Sequence, residues 1–284
     1  MVNSTSHPAS VPIEHLRVDL GGLSCRYQRA GAGPPLLLVH GLMGYSFSWR
    51  HTIPALGQQA TVYAIDLPGT GQSDRSPDMD SSQLASAKRL LRFMDRVGIA
   101  SCDLLGTSHG GAVAMTAASL APQRVRRLVL VAPANPWSEH GRFLIPFLSN
   151  PVVAPVFLQV FPRLRILHEF YFRRLFGDAR HIRPGTLEGY AAPLRTPGSF
   201  EYGLSVLRTW KQDMRKLQAA LPHIAHIPTL LIWGDRDAAV DPASANHLKV
   251  QFQNCRLLVL EGVGHLPYEE VPEEFNRAVA LFLS

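Results

Sequence analysis

Ser108 lies in Gly106-Thr107-Ser108-His109-Gly110, with a glycine two places to either side. The pentapeptide follows an apolar, strand-like run, Cys102 to Leu105, and opens into an Ala-rich helical stretch, Gly110 to Leu120. A Gly-x-Ser-x-Gly in that setting predicts a nucleophile elbow, a sharp strand-to-helix turn with the serine hydroxyl exposed at its tip. Backbone strain of this kind costs about 1–3 kcal/mol and persists chiefly where function requires it. Glycines flank the serine because a Cβ at either place would meet the crossing strand or helix. The helix that begins near His109 points its free N–H groups at the site and favours negative charge there. Taken alone, the five residues fit a Gly-rich βα turn with an incidental serine equally well, so the rest of the chain must supply a base, an acid and an anion-binding pocket.

A serine hydroxyl is a weak nucleophile until a histidine takes its proton, and the histidine needs a carboxylate to fix its tautomer and stabilise its cation. The chain has 12 histidines, so position must select among them. His265 sits in Glu261-Gly262-Val263-Gly264-His265-Leu266-Pro267, a Gly-rich loop after the last strand-like run, and is the expected base. The acid is expected one strand earlier, where Thr229 to Trp233 ends in Gly234-Asp235-Arg236-Asp237. Asp237 is chosen because Gly-x-x-Asp gives the loop enough length to turn back toward the histidine. Asp235 and Asp241 read as turn or capping residues. The other place for an acid, after the run that ends at Ala132, offers Asn135 and no carboxylate. Two backbone N–H groups should then face the developing oxyanion. His109, next to the nucleophile, is one; the other comes from His40-Gly41-Leu42-Met43-Gly44, with Leu42 preferred and Met43 second.

These residues need a rigid frame. His15 to Leu20 and Ser24 to Arg29, split by Gly21-Gly22, predict an antiparallel hairpin. Pro35 to Val39, Thr61 to Ile65, Cys102 to Leu105, Arg127 to Ala132, Thr229 to Trp233 and Arg256 to Leu260 are short apolar runs of the kind covered on both faces. Helical spacing marks Ser82 to Val97, Ala243 to Gln253 and Pro272 to Leu283. The alternation predicts an α/β fold, a mostly parallel twisted sheet of about eight strands with helices on both faces. It lapses from Ala134 to about Pro222, where aromatic, basic and Pro-punctuated segments predict an inserted helical cap. The expected organisation is core 1–133, cap 134–222 and core 223–284.

The chain carries a formal charge of +6, with 46% hydrophobic and 18% charged residues. Between Gly141 and Lys216 stand 12 Lys and Arg against 5 Asp and Glu, so the positive charge belongs to the cap. No nucleic-acid motif accompanies it. The basic cap reads either as a solvated helical surface or as a face for weak contact with an anionic substrate or lipid. Cys25, Cys102 and Cys255 are far apart and form no framework, which predicts buried thiols and a cytoplasmic setting. Met1 to Pro12 is polar and lacks the apolar stretch of a secretory leader. Phe143 to Phe161 is uncharged but interrupted by three prolines, which predicts a greasy lid rather than a membrane span.

Five motifs in order, His40-Gly41, Asp66-x-x-Gly69-x-Gly71-x-Ser73, Gly106-x-Ser108-x-Gly110, Trp233-Gly234-x-x-Asp237 and Gly264-His265, resemble the α/β-hydrolase superfamily, in particular its serine esterase-like and lipase-like members with an inserted cap. The nucleophile–acid–base order Ser108, Asp237, His265 is also the one that family uses. The resemblance implies a serine hydrolase that works through an acyl-enzyme with neither metal nor cofactor. Ser108 argues against the aspartate-nucleophile members. His109 departs from the apolar residue common there, though its backbone N–H can still serve. The expected substrate is a moderately apolar small-molecule ester, with Phe143, Leu144, Phe147, Leu148, Val156, Phe157, Leu158 and Phe161 available to line a pocket or simply to pack the cap onto the core. The alternatives are a C–C bond hydrolase of ring-cleavage products and a non-catalytic binding or accessory protein. No nucleic-acid partner is expected, and the chain reads as a monomer or homodimer.

Overall fold

Runs of Leu, Val and Ile with no polar face become strands that must be covered from both sides. In the computed structural model, which describes residues 11–76, 78–139, 141 and 144–284, they do so in one sheet. Its strands are Ile13–Asp19 (β1), Ser24–Ala30 (β2), Pro35–Val39 (β3), Thr61–Ile65 (β4), Cys102–Thr107 (β5), Val125–Val131 (β6), Thr229–Gly234 (β7) and Cys255–Leu260 (β8). The spatial order is β1-β2-β4-β3-β5-β6-β7-β8. β1 and β2 form the expected hairpin, Ile13 opposite Ala30, and β2 joins β4 antiparallel. From β4 to β8 every pairing is parallel. All those strands therefore end at one edge of the sheet, where open α/β sheets bind ligands.

The helices are Ile53–Leu56 (α1), Gln83–Arg96 (α2), His109–Leu120 (α3), Leu144–Leu148 (α4), Val153–Val160 (α5), Arg165–Arg173 (α6), Thr186–Ala191 (α7), Ser199–Ala220 (α8), Ser244–Lys249 (α9), Pro267–Glu270 (α10) and Pro272–Leu283 (α11). Ser82 caps α2, its hydroxyl accepting from Ala85 N at 3.2 Å, and Gly98 in a left-handed conformation follows the helix. Two apolar layers sandwich the sheet. Phe93 and Met94 of α2, Val113 and Met115 of α3 and Leu248 of α9 fill one. Trp49, Ile53 of α1 and Phe275 and Val279 of α11 fill the other.

Between β6 and β7 lie α4 to α8. The apolar run that raised the question of a membrane span breaks into α4, α5 and a 3-10 turn at Phe161–Arg163. Among the described residues no helix is long and apolar enough to cross a membrane. α8 belongs to two layers at once. Near its start Phe200 packs under Phe157 and Phe161, with ring centroids 6.3 and 5.7 Å apart. Toward its end Met214 and Leu217 enter the first apolar layer, and Asp213 accepts from Gln83 N at 3.1 Å.

Candidate active site

β5 delivers Ser108 to the sheet edge at φ 52° and ψ −125°, a left-handed backbone for a non-glycine residue. The strain is held from several sides. Ser108 N donates to Val131 O at 2.9 Å, and Ser108 O accepts from Gly111 N at 3.0 Å, Ala112 N at 3.3 Å and Ala134 N at 2.9 Å. A Cβ on Gly106 would stand 2.5 Å from Gly110 O, the collision with the helix start that its sequence position predicts. For Gly110 the obstacle is His40 O at 2.2 Å, so this glycine admits the loop after β3.

Asp237 and His265 meet directly. His265 Nδ1 lies 2.8 Å from Asp237 Oδ2, with both side chains almost wholly buried. The other carboxylate oxygen accepts from Ala239 N at 2.7 Å and Val240 N at 2.9 Å, which fixes the carboxylate plane. A carboxylate can only accept, so Nδ1 carries a proton and donates it to Asp237. The two loops carrying the pair are in backbone contact: a Cβ on Gly234 would stand 2.2 Å from Val263 O and Gly264 O. The rival acids do other work, as their sequence positions suggested. Asp235 Oδ1 accepts from Gly262 N at 2.7 Å and Asp241 Oδ1 from Ala243 N at 2.9 Å. Asn135 is likewise a turn residue, bonded to Pro133 O and Ser244 Oγ. Ser108 stands two strands from Asp237 and three from His265 along the same edge.

The loop after β3 is set by a buried histidine. Leu67 N can only donate, and it reaches His40 Nε2 at 3.1 Å, so the His40 proton sits on Nδ1 and is given to Gly41 O at 2.8 Å. Gly44 N donates to the same carbonyl at 3.1 Å. In a trans peptide the N–H points opposite to the C=O. The Leu42 N–H is therefore turned away from His40 and Gly44. Gly41 itself packs on Ser108, since a Cβ placed there would stand only 3.2 Å from Ser108 Cβ. Met43 is left-handed at φ 61° and sends its thioether against Gly203 of α8. Asp66 braces this loop from below, accepting from Ser46 N at 2.7 Å and Gln72 N at 2.8 Å.

His109 turns its ring under the cap, where it stacks on Trp210 of α8 at 6.2 Å. Burial, reinforced by neighbouring His40, pushes its pKa down to about 4, so the ring is neutral near pH 7. Two acids that sequence reasoning missed follow His265. Glu270, buried, accepts from Gly264 N at 2.7 Å, Gly177 N at 3.0 Å and Asp178 N at 3.3 Å. Glu269 pairs with Arg50 and accepts from Tyr190 Oη at 2.8 Å; burial raises its pKa against the pull of Arg50. Both join the histidine loop to the cap, as does His265 N donating to Leu175 O at 2.7 Å. In sequence the two glutamates stand in a Gly- and Pro-rich stretch with no helix signal; only their spacing from His265 could have flagged them.

The apolar cap residues expected either to line a pocket or to pack the cap onto the core divide between outward-facing and packed positions. Phe147 and Val156 are each 59% exposed on the outside of the cap, whereas Phe157 and Phe161 stack on each other at 4.6 Å and pack the cap onto α8. Phe143 lies outside the described residues. A small void of about 10 Å³ between the β3 loop and the cap is lined by Met43, Thr70, Arg75 and Leu194 among others. A larger cleft of about 250 Å³ lies at the opposite end of the strands, by Leu36, Asp103 and Arg127, remote from Ser108. Among the described residues no group of three or more His, Cys, Asp or Glu is placed to hold a metal ion.

Comparison with known proteins gives consistent results. The sequence profile described as alpha/beta hydrolase fold matches residues 34–272. The dihydrolipoyllysine-residue acetyltransferase component of the acetoin cleaving system of Pseudomonas putida is 31% identical over 94% of this chain and 68% of its own length. The pimeloyl-[acyl-carrier protein] methyl ester esterase of Nitrosomonas europaea is 29% identical over 89% of this chain and 96% of its own. Among solved structures, Cfl2 of Burkholderia cenocepacia superposes with a TM-score of 0.85 over 98% of both chains at 22% identity, a likeness of fold.

Proposed function

Because this chain belongs to the α/β-hydrolase fold family, we propose that it is a serine hydrolase that cleaves a carboxylic ester of a moderately apolar small molecule, with Ser108 as nucleophile, His265 as base and Asp237 as the acid that orients it. The observation that carries this reading is the 2.8 Å bond between His265 Nδ1 and Asp237 Oδ2, on the sheet edge that also presents a left-handed Ser108. In this mechanism Ser108 Oγ attacks the ester carbonyl carbon as its proton passes to His265 Nε2. The carbonyl oxygen becomes an anion held by the N–H groups of Leu42 and His109. Collapse breaks the bond to the alcohol oxygen, which leaves with the proton from His265. Water then attacks the acyl-enzyme by the same route and restores Ser108.

The ester class is supported by a related protein named as a methyl ester esterase. The test is a series of aryl esters of increasing acyl length together with a fluorophosphonate probe. The expected result is turnover and labelling of the wild type, both lost in Ser108→Ala. A folded wild type that neither labels nor turns over any ester would overturn the reading in favour of a binding role.

A further inference from the structure

A helix on a water-exposed cap should keep its apolar side inward and a polar side outward. α6 does not. Its inner side is aromatic, with Phe172 on Tyr190 at 4.5 Å and His168 against Phe200 at 5.4 Å. Its outer side is apolar as well: Ile166 is 83% exposed and Phe170, one turn on, 59%. Leu167 borders this side and is 44% exposed, whereas the Tyr171 hydroxyl is largely buried and near enough to Asp237 to feel its charge. α5 repeats the arrangement alongside, with Val152, Val156 and Val160 exposed at a spacing of four. Nine of the thirteen large apolar side chains exposed among the described residues fall between Phe147 and Tyr171, so the feature is local to this knuckle of the cap. An apolar patch of that concentration marks a contact surface.

The charges around it identify the occupant. Arg163 stands exposed between the two helices, and Arg173 and Arg174 stand exposed at the end of α6, one turn beyond Phe170. Arg174 also lies 6.0 Å from the Phe170 ring centroid. Apolar side chains in the middle and arginines at the border fit the layered chemistry of a bilayer surface, hydrocarbon below and phosphate above, with arginine stems able to reach from one to the other. We infer that the outer face of α5 and α6 docks on a lipid bilayer carrying anionic headgroups, with Ile166 and Phe170 entering the acyl region and Arg163, Arg173 and Arg174 meeting the phosphates.

The test is co-sedimentation of the whole protein with phosphatidylcholine vesicles made with and without phosphatidylglycerol. The wild type is expected to sediment with the anionic vesicles and to be partly released by salt, which screens the arginines. The double variant Ile166→Asp, Phe170→Asp should weaken binding at least about tenfold, and Arg173→Glu, Arg174→Glu should abolish the preference for anionic vesicles. Turnover of a water-soluble aryl ester, which needs neither pair, reports that each variant is folded. A wild type that stays in the supernatant with both vesicle types would overturn the proposal, as would binding that both variants retain. Light scattering that shows a dimer which Ile166→Asp, Phe170→Asp splits would make a second copy of this chain the occupant and would equally overturn it.

Discussion

At the scale of single residues, the assignments separate groups that lie close together. Asp237→Asn should lower kcat by about 10⁴-fold, because the amide holds the wrong histidine tautomer. Asp235→Asn, two residues away, should leave steady-state turnover nearly unchanged, since Asp235 serves only a turn with Gly262. His109 gives a pH prediction. Its folded pKa of about 4 lies below its ordinary 6.5, so the unfolded chain takes up a proton first as pH falls. Stability contributed through this group is therefore intact above pH 6.5 and declines as pH drops toward 4, by up to about 3 kcal/mol. His109→Phe keeps the stacking on Trp210 and removes the titration, so urea unfolding near neutral pH and at about pH 4.5 should show a smaller acid loss than in wild type. The placement of Ser108, Asp237 and His265 just beyond strand ends was legible because residue type and position after a strand are both local facts. Glu269 and Glu270 were not, because burial depends on what the cap brings over them.

At the scale of elements, strands and glycines carried most of the readable information. The bounds of β3 and β4 follow from apolar runs alone, and the hairpin from Gly21-Gly22 between two alternating segments. α10 was invisible, four residues inside a loop that reads as Gly- and Pro-rich, and α1 is equally short. Two glycines with different reasons for being glycine make a paired prediction. Gly110→Ala drives a Cβ to within 2.2 Å of His40 O, a backbone atom fixed by β3, and should cost about 3 kcal/mol or more. Gly22→Ala meets nothing within 4 Å, and only its φ of 89° is strained, so about 1 kcal/mol is expected. Thermal melts of the two variants against wild type check the contrast.

For the whole molecule, parallel connections leave few ways to order the strands, so one edge carrying Ser108, Asp237 and His265 could be foreseen from their succession in the chain. The cap could be located but not read. Aromatic residues such as Phe147 and Phe157 look alike in sequence, and their opposite facings emerge only when α4, α5 and α6 pack on α8. The link between cap and core is concentrated at Glu270, which accepts from the histidine loop and from Gly177 and Asp178 together. Glu270→Gln should destabilise the fold by at least about 2 kcal/mol in urea unfolding. It should also lower kcat more than it raises KM, because the loop that loses its anchor carries His265, the proposed base.

The Gly41 carbonyl, held at once by His40 and Gly44, has a consequence for inhibition. A peptide plane whose carbonyl is pinned by two donors has its direction set before any substrate arrives. Under the proposed mechanism the electrophile of an inhibitor would meet a rigid frame, and discrimination would fall to the cap. An inhibitor of the proposed serine hydrolase would then divide into two parts, an electrophile for Ser108 and a second group, reaching the cap, in which selectivity is sought.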